Sequence, residues 1–240
     1  MKDQVYRQPQ SHIVDFAFTE SVAEVFPDMI RRSVPGYDTI IPVTGLIAAR
    51  HAGSTAKVVD LGCSLGATTQ AVLAQSDATG LELIGIDNSE PMISRAIELN
   101  TDPRASFVLA DVQSDAIDAH LEDAKVTILN FVLQFFEPAT RLQTLQRIRQ
   151  QMSPHGLLIV SEKVRHSDDA IHKLFDDTHL AWKRANGYSE LEVAQKRSAL
   201  ENVMKVDDVA THQGRFREAG FSNVIQWYQC MNWASFLVHP

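Results

Sequence analysis

The sequence predicts an α/β fold: a seven-stranded, mostly parallel sheet with an antiparallel C-terminal hairpin and a helical insertion ahead of it. Three observations predict it. Short, strongly apolar runs alternate with helical segments between residues 57 and 163, the pattern of strands covered on both faces by crossover helices. Residues 167–204 break that rhythm with two consecutive helical segments. The final NVIQWYQCMNWASFLVHP holds two strand-like runs around a tight turn near Met231-Asn232, which is hairpin spacing.

The elements follow in order. After a polar leader, FTESVAEVFPDMIRRSVPGY reads as a helix: Thr19 is placed to cap it, Val22, Val25, Met29 and Ile30 share a face, and Pro35-Gly36 stops it. TIIPVTGLIAARH is a second helix, bent near Pro42, so residues 1–55 form a helical N-terminal segment. KVVDLG is the first strand, ATTQAVLAQS a helix and LELIGIDN the second strand. SEPMISRAIELN is a helix with Ser89 at its N-cap and Pro91 in its first turn. ASFVLADV and KVTILNFVLQFF are the third and fourth strands. RLQTLQRIRQQM is a helix closed by the Ser153-Pro154-His155-Gly156 turn, and LLIVSEK is the fifth strand.

SDDAIHKLFDDTHLAWKRANG and YSELEVAQKRSALENVM then form two helices that meet at Gly187, the second opening with the capping box Ser189-x-x-Glu192. A helical insertion so late in the sheet is placed to be a substrate lid. DDVATHQGRFREAGF is a helix ended by Gly220, and the hairpin follows. No repeat, low-complexity tract or linker interrupts the 240 residues, so one domain spanning 1–240 is expected.

Composition narrows the function. The net charge of −8 repels phosphate backbones and favours a small-molecule substrate over direct nucleic-acid binding. Cys63 and Cys230 are the only cysteines and form no CxxC pair, as expected of reduced thiols in the cytoplasm. MKDQVYRQPQSHIVDF lacks the apolar run of a signal peptide, and no apolar window approaches membrane length.

The most informative stretch is VVDLGCSLGATT, residues 58–69. Gly62-Cys63-Ser64-Leu65-Gly66 matches the G-x-S-x-G elbow of serine hydrolases, yet no HG-type oxyanion loop precedes it and it follows the first strand. The competing reading is a nucleotide loop: an acid at the strand end, then a turn of small residues that lets backbone N–H groups approach a ligand. Asp87 ends the second strand, where an acid accepts from ribose hydroxyls. Asp111 ends the third, placed for an adenine amino group with Val112 against the ring, and Asn130 ends the fourth. Polar residues at successive strand ends line one crevice.

Ser64 stands where a dinucleotide fold needs its middle glycine, and Asp60 sits poorly beside a pyrophosphate. S-adenosylmethionine carries an ammonium instead of a phosphate, and the terminal hairpin suits a methyltransferase-type sheet. The loop therefore reads as an adenosylmethionine site, with Cys63 as a small filler of the turn. His172, Asp176 and His179 lie at helical spacing, but without an HExxH pattern they read as a solvated helix face, and no metal is expected.

These residues sit in blocks that resemble the carboxy-S-adenosyl-L-methionine synthase family, of the class I, Rossmann-like S-adenosylmethionine-dependent methyltransferase fold. The blocks are VAEVFPDMI, RRSVPGY, VVDLGCSLGATT, GIDNSEPMI, LNFVLQFFEP, SEK and above all KRANGYSELEVAQKRSALENVM. Residues 101–127 fit loosely, and the Ser153–Gly156 turn departs from the family's more Gly-rich version. The resemblance implies an enzyme that combines S-adenosyl-L-methionine with prephenate, giving carboxy-S-adenosyl-L-methionine, phenylpyruvate and water. Prephenate would supply both the carbon dioxide and the proton-accepting hydroxyl, and a sulfur ylide would attack the carbon dioxide. The product would pass to a separate tRNA carboxymethyltransferase that modifies the wobble uridine.

By resemblance, Tyr37, Gly62, Cys63, Ser64, Asp87, Asn88, Asp111, Val112 and Asn130 contact the cofactor, Arg197 holds the added carboxylate, and homodimers are expected. The sequence adds its own reason for Arg197. Val193, Arg197, Leu200 and Met204 recur at three- and four-residue steps as one stripe, which turns the guanidinium toward the interior or a subunit contact. There it can fork a carboxylate. An ordinary S-adenosylmethionine-dependent methyltransferase acting on tRNA or a small molecule is the alternative, and a non-catalytic binder of the cofactor is a third reading.

Overall fold

Val58 and Val59 are neighbours on one strand and point to opposite sides of the sheet. Val58 packs with Ala48, Val72 and Ile159 on one face, and Val59 with Leu129, Leu145 and Phe236 on the other. Both are almost fully buried, so this strand is sandwiched between two apolar layers. The computed structural model describes residues 1–10 and 12–240.

The strands are β1 (Thr55–Leu61), β2 (Gly80–Asp87), β3 (Ala105–Leu109), β4 (Val126–Asn130), β5 (Leu157–Arg165), β6 (Asp207–Asp208), β7 (Asn223–Cys230) and β8 (Trp233–His239). Seven lie on the path β3-β2-β1-β4-β5-β8-β7, and the two-residue β6 pairs with β5 off that path. β1 to β5 are mutually parallel, and β8 runs antiparallel to both β5 and β7. The expected sheet is therefore present, with β6 as an eighth, minimal strand.

The helices are α1 (Glu20–Arg31), α2 (Tyr37–Ala52), α3 (Ala67–Leu73), α4 (Glu90–Leu99), α5 (Asp118–Leu121), α6 (Pro138–Gln151), α7 (Asp169–Ala185), α8 (Glu190–Glu201) and α9 (Val209–Glu218). Their starts follow local chemistry. Ser89 accepts from the Met92 N–H at α4, Asp168 from Ile171 at α7, and Asp208 from Thr211 at α9. Both hydrogen bonds of the Ser189–Glu192 capping box are present at α8. Thr19 stands at the N-cap of α1 without capping it, because its hydroxyl pairs with that of Ser21 at 3.0 Å.

Three expectations need correction. The third strand stops at Leu109, so Asp111 lies in the following loop. The fourth stops at Asn130: Phe131 takes a left-handed φ of 65°, and residues 133–135 form a 3-10 turn. The cause is Glu162, whose buried carboxylate accepts the N–H groups of Val132, Leu133 and Gln134 at 3.0, 2.8 and 3.1 Å. The polar leader is also more than a tail. Asp3 and Tyr6 are buried, the Gln195 side chain donates to the carbonyls of Tyr6 and Gln8, and the Phe16 N–H donates to Ala199. The first residues thus strap across α8.

Candidate functional site

The β1–α3 turn is held in left-handed backbone at Gly62 (φ 70°), Ser64 (49°) and Gly66 (78°). Its donors point inward. The N–H groups of Gly62 and Cys63 both reach the Ile86 carbonyl, at 2.7 and 3.0 Å, and that of Ser64 reaches Asp87 at 2.9 Å. The expectation that these groups face a ligand is thus corrected: the end of β2 consumes them. With those three donors consumed, the Gly62–Ser64 segment presents carbonyl oxygens, which suit an ammonium better than a phosphate. Glycine is required at 62 for packing as well, since a Cβ there would lie 2.4 Å from a Val132 methyl.

Ser64 shares the strained backbone of a nucleophile elbow, but among the described residues its hydroxyl meets no base. Burial pushes the Cys63 thiol well above its ordinary pKa, so it is an unreactive filler. Asp60 does not reach the ligand space. It is buried beneath the turn, accepts from the Thr69 hydroxyl at 3.1 Å, and is pushed up to about 7 by burial.

A cavity of about 840 Å³ opens over the C-terminal ends of the strands, near the upper end of the ~300–1,000 Å³ typical of small-molecule sites. Gly62, Ser64, Asp87, Asn88, Asp111, Val112, Asn130 and Arg197 all line it. Tyr37 and Cys63 line an adjoining space of about 80 Å³, whose wall shares Gly62, Ser64 and Asn130 with the larger one. Asp87 is held by the Ser64 and Ser89 N–H groups, both at 2.9 Å, while burial raises its pKa. Asp111 is exposed and accepts from the Gln113 N–H at 2.8 Å. Asn130 donates to the Thr68 hydroxyl at 3.2 Å, and its buried Oδ1 has no partner, an acceptor left for a ligand donor. Burial raises the Tyr37 hydroxyl to about 12. The residues present fit a ligand with an ammonium, a ribose and an adenine.

The opposite wall has another character. Lys163 and Arg165 reach the cavity from β5, Lys183 from α7, and Lys196 and Arg197 from α8. Lys163 lies 3.8 Å from Asp176; Lys196 lies 3.7 Å from Asp3 and donates to Ser33 at 3.0 Å. Arg197 is exposed into this space and forms no ion pair among the described residues, so it borders open volume and is not drawn into the protein interior. His172, Asp176 and His179 also line the cavity and do not form a solvated helix face. His179 is buried against the Ser33 carbonyl at 2.8 Å and lowered to about 3 by burial and by Lys183. Among the described residues no cluster of three such groups is placed to hold a metal ion.

Aromatic side chains close the space. Phe18 meets Phe16, Phe26 and Phe135 edge-to-face at 5.2, 6.0 and 5.6 Å, and all four line the cavity. Sequence reasoning passed over Phe16, Phe18, Lys163 and Lys183. The one signal available was a pair of phenylalanines, DFAF, in an otherwise polar leader.

The strand order, the crevice at the β1–β4 switch and the antiparallel hairpin define a class I methyltransferase fold. Residues 58–156 match a family model described as a methyltransferase domain. Among solved structures, human N-acetylserotonin methyltransferase in complex with SAM superposes with a TM-score of 0.62 at 14% identity, over 92% of this chain and 55% of that one. An O-methyltransferase family protein from Burkholderia thailandensis gives 0.66 at 16% identity, over 91% and 59%. At such identity these likenesses show the fold alone. The carboxy-S-adenosyl-L-methionine synthase of Aeromonas hydrophila is 47% identical over 236 residues, covering 98% of this chain and 95% of that protein. That of Pseudomonas fluorescens is 49% identical over 242 residues, covering 99% and 98%. The chain belongs to the carboxy-S-adenosyl-L-methionine synthase family.

Proposed function

We propose that this protein converts S-adenosyl-L-methionine and prephenate into carboxy-S-adenosyl-L-methionine, phenylpyruvate and water. One observation carries the reading: Arg197, without an ion-pair partner among the described residues, opens into the same cavity as Asp87 and Asn130. A carboxylate attached next to the sulfonium needs a guanidinium there, whereas a plain methyl group does not.

In this reading Asp87 takes the ribose hydroxyls, Asp111 and Val112 the adenine, and Asn130 with the Gly62–Ser64 turn the amino-acid end, with Tyr37 and Cys63 backing that turn. Arg197 holds the new carboxylate. The chain acts as one unit in which residues 167–204 form the lid, and the Phe16–Phe18–Phe26–Phe135 group excludes water from the reacting carbon. His179 is held neutral against Ser33, and the resemblance names no side chain as base. That leaves the proton to the second substrate.

The resemblance further supports a homodimer in the cytoplasm whose product feeds a tRNA carboxymethyltransferase. Ile171, Leu174 and Leu191 stand exposed on α7 and α8, and among the described residues no helix is long and apolar enough to cross a membrane. Incubating the protein with both substrates and weighing the products tests the reaction. No species heavier than S-adenosylmethionine by one carboxyl group would refute it, and release of adenosylhomocysteine with a methylated acceptor would install ordinary methyl transfer.

A further inference from the structure

Five cations, Lys163, Arg165, Lys183, Lys196 and Arg197, converge on the wall made by β5, α7 and α8. Four have an answer. Lys163 has Asp176, Arg165 has Asp169, Lys196 has Asp3 and Ser33, and Arg197 takes the product carboxylate in the reading above. Lys183 has none. It is buried, it lines the cavity, and among the described residues its side chain makes no ion pair or hydrogen bond. A buried ammonium without a counter-ion is costly. Its surroundings add to the cost: burial, Lys196 and Lys163 together lower it to about 7, against a smaller opposing pull from Asp3.

S-adenosylmethionine brings a single carboxylate, on its amino-acid end, and the reading above seats that end against Asn130 and the Gly62–Ser64 turn. An anion for the opposite wall arrives with the second ligand. We infer that Lys183, flanked by Lys163, binds the carboxylate that the second substrate keeps, while Arg197 receives the carboxylate that is transferred.

This inference rests on the carboxylation reading. Prephenate carries two carboxylates. The bond from the ring to one of them breaks, and its electron pair restores aromaticity while expelling the ring hydroxyl. That hydroxyl takes the methyl proton and departs as water, and the carbon so freed bonds to the carbon of the released carbon dioxide. The side-chain carboxylate takes no part and remains on phenylpyruvate, so it is free to serve as an anchor. Anchors on two different helices hold a dianion at two points and fix which face meets the methyl group.

The test is Lys183→Met, with Lys183→Gln beside it, scored by steady-state kinetics, calorimetry and thermal melting. The expected result is a KM for prephenate raised on the order of 10- to 100-fold, the loss of one charge-assisted contact, with kcat nearly unchanged. Phenylpyruvate, which keeps only the retained carboxylate, is expected to lose affinity by the same factor, and S-adenosylmethionine to bind as in wild type. Tm should rise, because an unanswered buried charge is gone. Unchanged phenylpyruvate affinity in both variants would overturn the inference, as would a lower Tm with S-adenosylmethionine binding lost alongside. If the wild-type protein makes no carboxylated product, the reaction reading falls separately. Direct phenylpyruvate binding to wild type and variant still decides the role of Lys183.

Discussion

Arg197 and Gly62 show two ways in which one residue can matter. Arg197 is exposed into the cavity and makes no side-chain ion pair or hydrogen bond among the described residues, so its value lies in a ligand. Arg197→Ala is expected to weaken carboxy-S-adenosylmethionine binding by ~1.5–3 kcal/mol and to leave S-adenosylmethionine affinity and Tm unchanged; equal product affinity by calorimetry would remove it from the site. Gly62 is the reverse, a residue that keeps other groups in place. In Gly62→Ala the new methyl lies 2.4 Å from Val132, and φ is 70°. A loss of about 2–4 kcal/mol from strain plus overpacking is expected in chemical denaturation. Adding Val132→Ala should relieve only the packing part, so full rescue by the double variant would show that backbone strain contributes nothing.

At the scale of elements, the lid depends on how α8 starts. Ser189→Ala removes the hydroxyl that accepts from Glu192 and should cost about 1 kcal/mol. Fraying of that first turn should speed hydrogen exchange across residues 189–193 and raise KM for the second substrate more than for S-adenosylmethionine; equal changes in both would detach the cap from the lid. Local chemistry of this kind was legible in the sequence. Ser89, Ser189 and Glu192 cap helices a few residues away, and Asp87 and Asn130 end strands whose apolar runs announce them. Phe131–Phe136 misled because its apolar run continues the strand pattern, while the carboxylate that bends it away, Glu162, lies some thirty residues downstream. Lys183 was illegible for a related reason: a lysine in a helical sequence looks solvated until three other elements close over it.

Across the whole molecule, burial has placed titratable groups where they oppose one another. His179 and His212 are lowered to about 3 and about 4, each chiefly by desolvation, whereas burial raises Asp60 and Glu162 to about 7 and about 8. For a histidine depressed in the fold, the contribution is complete above its unfolded value near 6.5 and is lost as the pH falls through the folded value. The raised carboxyls act in the opposite sense, with a contribution present below about 4 and lost as the pH climbs through 7 to 8. The histidine part is isolated by subtraction. His212 packs beside Phe216 and Phe236, so His212→Leu is expected to keep the core while removing one titration. Its stability relative to wild type should improve by up to about 1.4 kcal/mol per pH unit between pH 6.5 and 4, and by nothing above pH 7. A flat difference in urea midpoints over that range would show that His212 takes up its proton in the folded state.

The strap across α8 carries a consequence for the chemistry of the pocket. Asp3 does not line the cavity, yet it is buried, it accepts from the Tyr188 hydroxyl, and it lies 3.7 Å from Lys196. Trimming the chain ahead of Val5 would remove the carboxylate from behind Lys196 and leave a second uncompensated ammonium next to Lys183. A small proteolytic clip, distant in sequence from every ligand-binding residue, would thereby retune the protein's appetite for anions while the sheet and the cofactor crevice stayed as they are.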